Sequence, residues 1–494
     1  MGHAVGIDLG TTYSALALVD SNGQARPVPN AENSFTTPSV ALWHQGSFLV
    51  GQPALDLVQR SEGRECEQLS AALIRGVKRM MGNPPRQGLF SNGRRTNPIE
   101  VSAAILSKLA RDASARLGFT VKDAVITVPA HFGDKERSAT KEAAELAGLR
   151  VLQIINEPSA AALTYTHGQR VEPCTALVFD LGGGTFDATL LQLHEQGARV
   201  LATKGIEELG GINFTNALAR ALSRRYETET GTAYPLDSVS QDLLIVVAEA
   251  AKCKLSDVAT TMVRLAPRQG PAITLEVTRQ HFESLIDLEV FQLQIAVEQV
   301  LESAGKQITE IQRVLLCGGS SRIPAVQKML HDFFGRQPES TLDLDLSVAL
   351  GAAYQAAAYK EDHTTHAPAF QLLEEGGLVI DCVSYHVGIA VWNARREWVK
   401  LIMLRPGDPL ETWSQPYPVR ILGSAANFPP IDVYTGDNPQ LTEKDHLASI
   451  TQALPPDTPP NARATVMIRQ DRSGMVQVQI NVEGRNLPGT LQRV

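Results

Sequence analysis

The chain has 494 residues, a formal net charge of −8, 43% hydrophobic and 20% charged residues. This is the composition of a globular protein with material for about three domain-sized cores; it excludes disordered and collagenous classes, and its acidic excess argues against nucleic acid as a partner. No run of ~18 apolar residues predicts a membrane span, residues 1–8 lack the pattern of a secretory signal, and Cys66, Cys174, Cys253, Cys317 and Cys382 form no Cys-x-x-Cys, which predicts reduced thiols and a cytoplasmic setting.

In chain order, residues 4–7 predict a strand running into Asp8. Residues 125–128 predict another, stopped by Pro129. Residues 134–147 predict a helix capped by Asp134 and ended by Gly148, with Ala139, Ala143, Leu146 and Ala147 as its buried stripe. Residues 176–179 and 313–316 read as buried strands. Residues 248–256 read as a helix with Leu244, Val247, Ala251 and Leu255 toward the core. This alternation predicts an α/β class. The stretch 360–366 is polar and turn-like, and Leu378-Val379-Ile380-Asp381 is a short apolar island. Beyond it, helical periodicity fades. Val476, Val478, Ile480 and Val482 alternate with polar residues, predicting a half-buried strand that pairs with 463–469 across Asp471-Arg472-Ser473-Gly474. The proline-rich run 455–460 predicts a stiff connector. The tail thus reads as a small antiparallel β domain, and the residues after Val482 are too few for a helical appendage.

One internal repeat carries chemistry. Asp8-Leu9-Gly10-Thr11-Thr12 and Asp180-Leu181-Gly182-Gly183-Gly184-Thr185 each follow an apolar strand. Either turn alone also fits a hairpin tip. As a pair, they predict related half-domains facing one cleft. Glycine turns expose N–H groups that suit phosphate oxygens, and Asp8 and Asp180 at strand ends suit Mg²⁺ held through its waters. Asp187 points to the same side as Thr185. No P-loop motif occurs, and no Gly-x-Gly-x-x-Gly follows a strand. Gly318-Gly319-Ser320-Ser321-Arg322-Ile323-Pro324 permits close approach to a flat ring, although a plain strand–helix turn accounts for it equally well. Glu249, Lys252, Cys253 and Ser256 share one helix face that suits ribose hydroxyls or solvent. Lys78, in Gly76-Val77-Lys78-Arg79, is by spacing one basic residue among 45. Glu157 before Pro158 marks a junction.

These motifs in this order resemble the seventy-kilodalton heat-shock chaperones of DnaK type. The resemblance rests on Asp8 to Ser14, Val128-Pro129-Ala130-His131-Phe132 with Arg137, residues 154–162, residues 179–187, Leu209-Gly210-Gly211, residues 318–324 and residues 348–353. It implies a two-lobed actin-like ATPase fold of duplicated ribonuclease-H-like domains over residues 1–372. A linker at 373–381 and a β-sandwich peptide-binding domain at 382–494 would follow. It also implies ATP or ADP with Mg²⁺, and K⁺ as a further ion. Gly10, Thr11, Thr12, Tyr13, Gly182, Gly183, Gly184 and Thr185 would cradle phosphates. Asp8 and Asp180 would orient the metal's water shell, and Lys78, Glu157, Asp187 and Thr185 would position the attacking water. Gly211, Glu249, Lys252, Ser256, Gly319, Ser320, Arg322 and Asp345 would hold adenosine. Pro129, Arg137 and the linker residues Leu378, Val379, Ile380 and Asp381 would relay nucleotide state.

The sequence also departs from the family pattern. Cys253 replaces an arginine against the adenine. Asn213 and Thr215 replace acidic residues, and the stretch 81–100 is short. Gln153 replaces an arginine that meets J-domain partners, and Gly133 replaces a polar residue nearby. Trp398 and Pro429-Pro430 fall near positions that shape the peptide pocket. The expected protein is a short, lidless, HscC-like chaperone that hydrolyses ATP slowly. Its expected partners are unfolded or extended peptides, with J-domain and nucleotide-exchange co-chaperones, and neither nucleic acid nor membrane. The rival readings are a small-molecule kinase of the actin superfamily and a nucleotide-binding scaffold without turnover.

Overall fold

The computed structural model describes residues 4–61, 63–82, 89–167, 172–194, 197–340, 343–359, 378–393, 395, 397–420, 430–436, 440–443, 445–459 and 461–493. The polar stretch 360–366, the expected boundary at 372/373, Pro429 and Pro460 lie outside them. Among the described residues no helix is long and apolar enough to cross a membrane, and all five cysteines are free.

Two sheets repeat one topology. In the first, Arg150–Asn156, Asp123–Val128 and Val5–Asp8 run parallel. Val5–Asp8 then forms a hairpin with Tyr13–Val19, which pairs onward with Ala25–Pro27. In the second, Arg313–Cys317 and Cys174–Leu181 run parallel. Cys174–Leu181 forms a hairpin with Phe186–His194, which pairs onward with Gly197–Ile206. Central strands covered on both faces need apolar side chains at consecutive positions. Ala124, Val125 and Ile126, and Ala176, Leu177, Val178 and Phe179, are fully buried. The internal repeat is therefore a repeat of architecture, with each glycine turn joining the first two antiparallel strands of its sheet.

The two sheets share a centre built from small residues. The helices Glu157–Thr166 and Ser347–Ala358 pack on each other and on the first sheet, and a Cβ on Gly6 would lie 2.7 Å from the Ala349 carbonyl oxygen. Alanine-rich faces (Ala160, Ala161 and Ala162 against Ala352 and Ala356) let backbone approach backbone there.

Two local expectations change. The helix Asp134–Leu146 is N-capped by Gly133, so Asp134 is its first helical residue and caps nothing. Leu146 is 62% exposed; the buried stripe is Ala139, Ala143 and Ala144. The stripe drifts because a 3.6-residue turn brings position 144 under the first sheet and carries 146 past its edge.

The C-terminal part is an antiparallel β-sheet domain. Among the described residues its eight strands include Val387–Trp392, Ile431–Thr435, His446–Thr451, Arg463–Gln470, Val476–Val482 and Arg485–Arg493. Arg485–Arg493 pairs with Val476–Val482 through residues 485–489 and with His446–Thr451 through residues 490–493, so one strand joins two layers. Alternate residues from both layers, Val387, Ile389, Val433, Ile450, Val466, Ile468, Val478 and Ile480, fill one core. The hairpin across Asp471 to Gly474 pairs Ala464 with Val482 and Gln470 with Val476. Leu378–Ile380 adds as a parallel strand to Gly197–Ile206, so the apolar island lies on the edge of the second sheet.

Candidate nucleotide site and its contact with the β-sheet domain

The glycine turns face each other across the cleft. A Cβ on Gly183 would run into the Thr12 side chain, and one on Gly184 would lie 2.5 Å from Thr11 Cγ2. Gly10 folds against the Tyr13 carbonyl. The second turn is closed by the Gly182 N–H donating to the Thr185 carbonyl at 3.1 Å. It receives the start of the helix Gly211–Thr230, whose Gly211 and Ile212 N–H groups donate to Gly182 and Gly183 at 3.0 and 2.8 Å. Arg79 spans the cleft, its Nε donating to the Gly184 carbonyl at 2.8 Å and its Nη2 to Asn213 Oδ1 at 3.1 Å. Asn213 also accepts from the Gly210 N–H and donates to the Glu208 carbonyl. An aspartate could not fill both roles. The Thr215 hydroxyl donates to the Gly211 carbonyl at 2.9 Å and bonds Glu249.

Beneath the turns lies a buried charge cluster. Lys78, on the short 3₁₀ turn Val77–Met80, pairs with Glu157 at the start of the helix Glu157–Thr166, and both are almost fully buried. Asp8 ends its strand and accepts from Thr127 Oγ1 at 3.1 Å. Burial drives Asp180 far above the usual carboxylate range, helped by Glu157, Asp187 and Asp8 and opposed by Lys78. Burial raises Asp8 against Lys78, and it pushes Glu157 up to about 7 against the same ammonium. Burial alone would lower Lys78, but Glu157, Asp8 and Asp180 outweigh it and hold its pKa up. The cluster thus brings together Asp8, Lys78, Glu157, Asp180 and Asp187, which the sequence separates widely. A divalent cation would lower all the raised carboxylates at once, so the donor set fits Mg²⁺. Among the described residues, no three His, Cys, Asp or Glu side chains converge closely enough to hold a metal ion by themselves.

The expected adenosine residues meet on the second lobe. Glu249, Lys252 and Cys253 lie on the helix Ser238–Asp257. Lys252 Nζ donates to Glu249 at 2.7 Å and to the Gly211 carbonyl at 3.1 Å. A Cβ on Gly211 would lie 2.5 Å from Ser320 Oγ. Arg322 Nη1 donates to Asp345 at 2.9 Å, beside Gly319. Tyr13 is half exposed, and its phenol is raised by burial and by Glu249, Cys253 and Asp345, so the first turn borders this group. Ser256 lies one turn beyond Lys252 on the same helix. Cys253 is exposed, 3.4 Å from Glu249 Oε1.

Of the residues expected to relay nucleotide state, Arg137 meets the β-sheet domain directly, at Ser473. Pro129 is buried, and its carbonyl accepts from the Phe132 N–H at 3.1 Å. Arg137 donates to the carbonyls of Phe132 at 2.9 Å and Ser473 at 3.1 Å, and bonds Asn156. Gln153 donates to the Arg472 carbonyl at 3.1 Å while accepting from Gln355 and Tyr359. The Ile154 N–H donates to Ser473 Oγ at 3.2 Å. Asp381 is buried, bonds Ser159 and accepts from the Asn156 N–H at 3.4 Å. Burial raises it against Ser159 and Arg137. A small cavity lined by Arg137, Asn156, Asp381, Tyr385, Gln470 and Gly474 lies in this seam. Sequence reasoning missed His131, Arg79, Asp134, Gly205 and Ser473. His131 and Arg79 sit inside or beside motifs already singled out, and Asp134 and Ser473 lie in the expected helix start and hairpin turn; Gly205 alone of the five carried no local signal.

The family described as Hsp70 protein matches residues 4–374. Chaperone protein DnaK of Deinococcus proteolyticus is 34% identical over 504 aligned residues, covering 97% of this chain and 76% of that protein. Its counterpart in Deinococcus deserti is 35% identical, covering 97% of this chain and 77% of that protein. Chaperone protein DnaK of Thermotoga petrophila is 39% identical over 360 residues, 72% of this chain and 59% of that protein, so this match spans less than two thirds of the relative. With the family pattern running through both lobes and relatives of this identity aligned over nearly the whole chain, this protein belongs to the Hsp70 family.

Proposed function

We propose that this chain is an ATP-dependent chaperone whose C-terminal β domain, residues 382–494, binds unfolded or extended peptide segments. Mg-ATP hydrolysis in residues 1–372 would be coupled to peptide affinity through the linker at 373–381. Members of the family hydrolyse ATP, bind ATP and ADP with Mg²⁺, and generally bind peptide clients and co-chaperones. The observation that carries the reading is the buried Lys78–Glu157 pair among Asp8, Asp180 and Asp187, directly beneath two facing glycine turns.

Asp8 and Asp180 would hold Mg²⁺ through its waters, and the ion, when bound, neutralises phosphate charge. The N–H groups of Gly10 to Tyr13 and Gly182 to Thr185 receive phosphate oxygens. Lys78, Glu157, Asp187 and Thr185 orient the attacking water, and positioning of this kind is most of what phosphoryl transfer asks of a protein. Gly211, Glu249, Lys252, Ser256, Gly319, Ser320, Arg322 and Asp345 hold adenosine. Pro129 and Arg137 connect this site with Leu378 to Asp381. The bonds from Arg137, Gln153 and Ile154 to the 472–473 loop favour coupling over a metabolite-kinase reading, because a kinase has no need of them.

ATP turnover of the full chain with and without an unfolded client tests this. Stimulation by client supports the coupling, as reciprocity between two linked sites requires. ATP consumption that depends on a small metabolite instead would replace it.

A further inference from the structure

Beside the water-positioning cluster sits an imidazole that no motif assigns. His131 Nδ1 lies 3.0 Å from Asp187 Oδ1, and its side chain is 12% exposed. Its Nε2 is covered and has no hydrogen-bond partner among the described residues. A buried polar atom left without a partner is destabilising, so the placement of this ring calls for a reason.

The neighbouring strand is shaped around this contact. Gly205 pairs with Asp187 across Gly197–Ile206 and Phe186–His194. A Cβ on Gly205 would lie 2.5 Å from His131 Nδ1 and 2.7 Å from Asp187 Oδ1. Gly205 is not among the positive-φ glycines, so it is small for steric reasons, where ring and carboxylate meet.

We propose that His131 is a positioning residue for ATP hydrolysis: its Nδ1–H fixes the Asp187 carboxylate, and loss of its second proton frees that carboxylate's charge to hold the attacking water. The proposal rests on the ATPase reading above.

The groups facing the ring are Asp187, Glu207 after the strand Gly197–Ile206, Glu157 at its helix start, and Glu136 on the helix Asp134–Leu146. Burial lowers the imidazole pKa, but Asp187, Glu207 and Glu157 outweigh it, so the imidazolium persists to higher pH than in an ordinary histidine. While both nitrogens carry protons, the positive ring neutralises Asp187. The neutral ring keeps Nδ1–H on Asp187, the tautomer a carboxylate selects, and leaves the carboxylate its charge. Turnover therefore rises with pH through the histidine range and levels off above it.

The test is single-turnover Mg-ATP hydrolysis by the full chain from pH 6 to 9, with ATP affinity measured in parallel. The parent protein should gain on the order of tenfold across its limb, a modest share of what acid–base groups supply. His131→Asn keeps a donor near the Nδ1 position without a titrating ring. It should hydrolyse at a rate that no longer changes through that range, with ATP affinity unchanged. Gly205→Ala, which presses on the same contact from the other strand, should lower the rate and displace the limb. A flat parent profile, or an unaltered limb in His131→Asn, overturns the role of His131 while leaving the ATPase reading intact. No hydrolysis by the parent at any pH overturns both.

Discussion

Asp134 Oδ2 accepts a hydrogen bond from the backbone N–H of Val476 at 2.5 Å, although the two residues lie 342 positions apart. Gly133 takes the cap position, and the Asp134 carboxylate reaches the β-sheet domain while also accepting from Ser138 Oγ in its own helix at 3.4 Å. Its neighbours in the seam, Arg137, Gln153 and Ile154, also meet the 472–473 loop through polar groups. A seam of this kind suits reversible docking, because water satisfies the same groups once it opens.

Gly474 lies against this seam's arginine. Its φ is +73°, and a Cβ there would lie 3.1 Å from Arg137 Cζ. Gly474→Val is both strained and crowded. It should open the seam, raise hydrogen exchange at the Val476 N–H and abolish client stimulation of ATP turnover. Retention of full stimulation would refute the link between this contact and coupling.

Lys78 is the cation of the carboxylate cluster. Lys78→Ala removes the charge that opposes the rise of Asp8, Asp180 and Glu157. Single-turnover hydrolysis should fall by about 10²-fold or more, the scale seen when a fixed electrostatic donor is lost. A rate equal to the parent's would remove Lys78 from the proposed water-positioning role.

Glu157 gives a pH signature in stability. Its ordinary value is 4.5 and burial holds it at about 7 in the folded chain. Below 4.5 both folded and unfolded chains carry the proton. Between 4.5 and 7 the unfolded chain ionises first, so the folded state loses stability as pH rises through that window, and the loss is complete above it. Without nucleotide, the thermal midpoint of Glu157→Gln should gain on the parent's from pH 4.5 to 7 and then hold level. A constant difference across that window contradicts the shift.

Cys253 is exposed beside Glu249 where adenosine is expected. Cys253→Arg would supply a planar cation for the base, with Glu249 to hold it. A stacking gain of about 0.5–1 kcal/mol predicts ADP binding tighter by a few-fold in calorimetry. Unchanged affinity would mean that the base lies elsewhere.

Much of this protein is legible in one dimension. The strand Val5–Asp8 and the turn after it, and their counterparts at 174–185, follow from apolar runs closed by glycine. A covered parallel strand needs such a run, and a phosphate turn needs bare N–H groups. The alternation from Val476 to Val482 reads directly as a strand with one wet face. The pairing of the apolar island Leu378–Ile380 with Gly197–Ile206 had no comparable signal, because an edge accepts any extended backbone.

The sequence by itself determined the order of strands and turns and the two facing glycine turns, since each depends on local periodicity or on one residue's conformational freedom. Only the tertiary structure decided that Asp134 reaches Val476 of the β-sheet domain, that His131 rests on Asp187, and that Gly205 makes space for them. Those contacts join segments far apart in the chain, and which partner a buried polar atom finds depends on how the sheets pack.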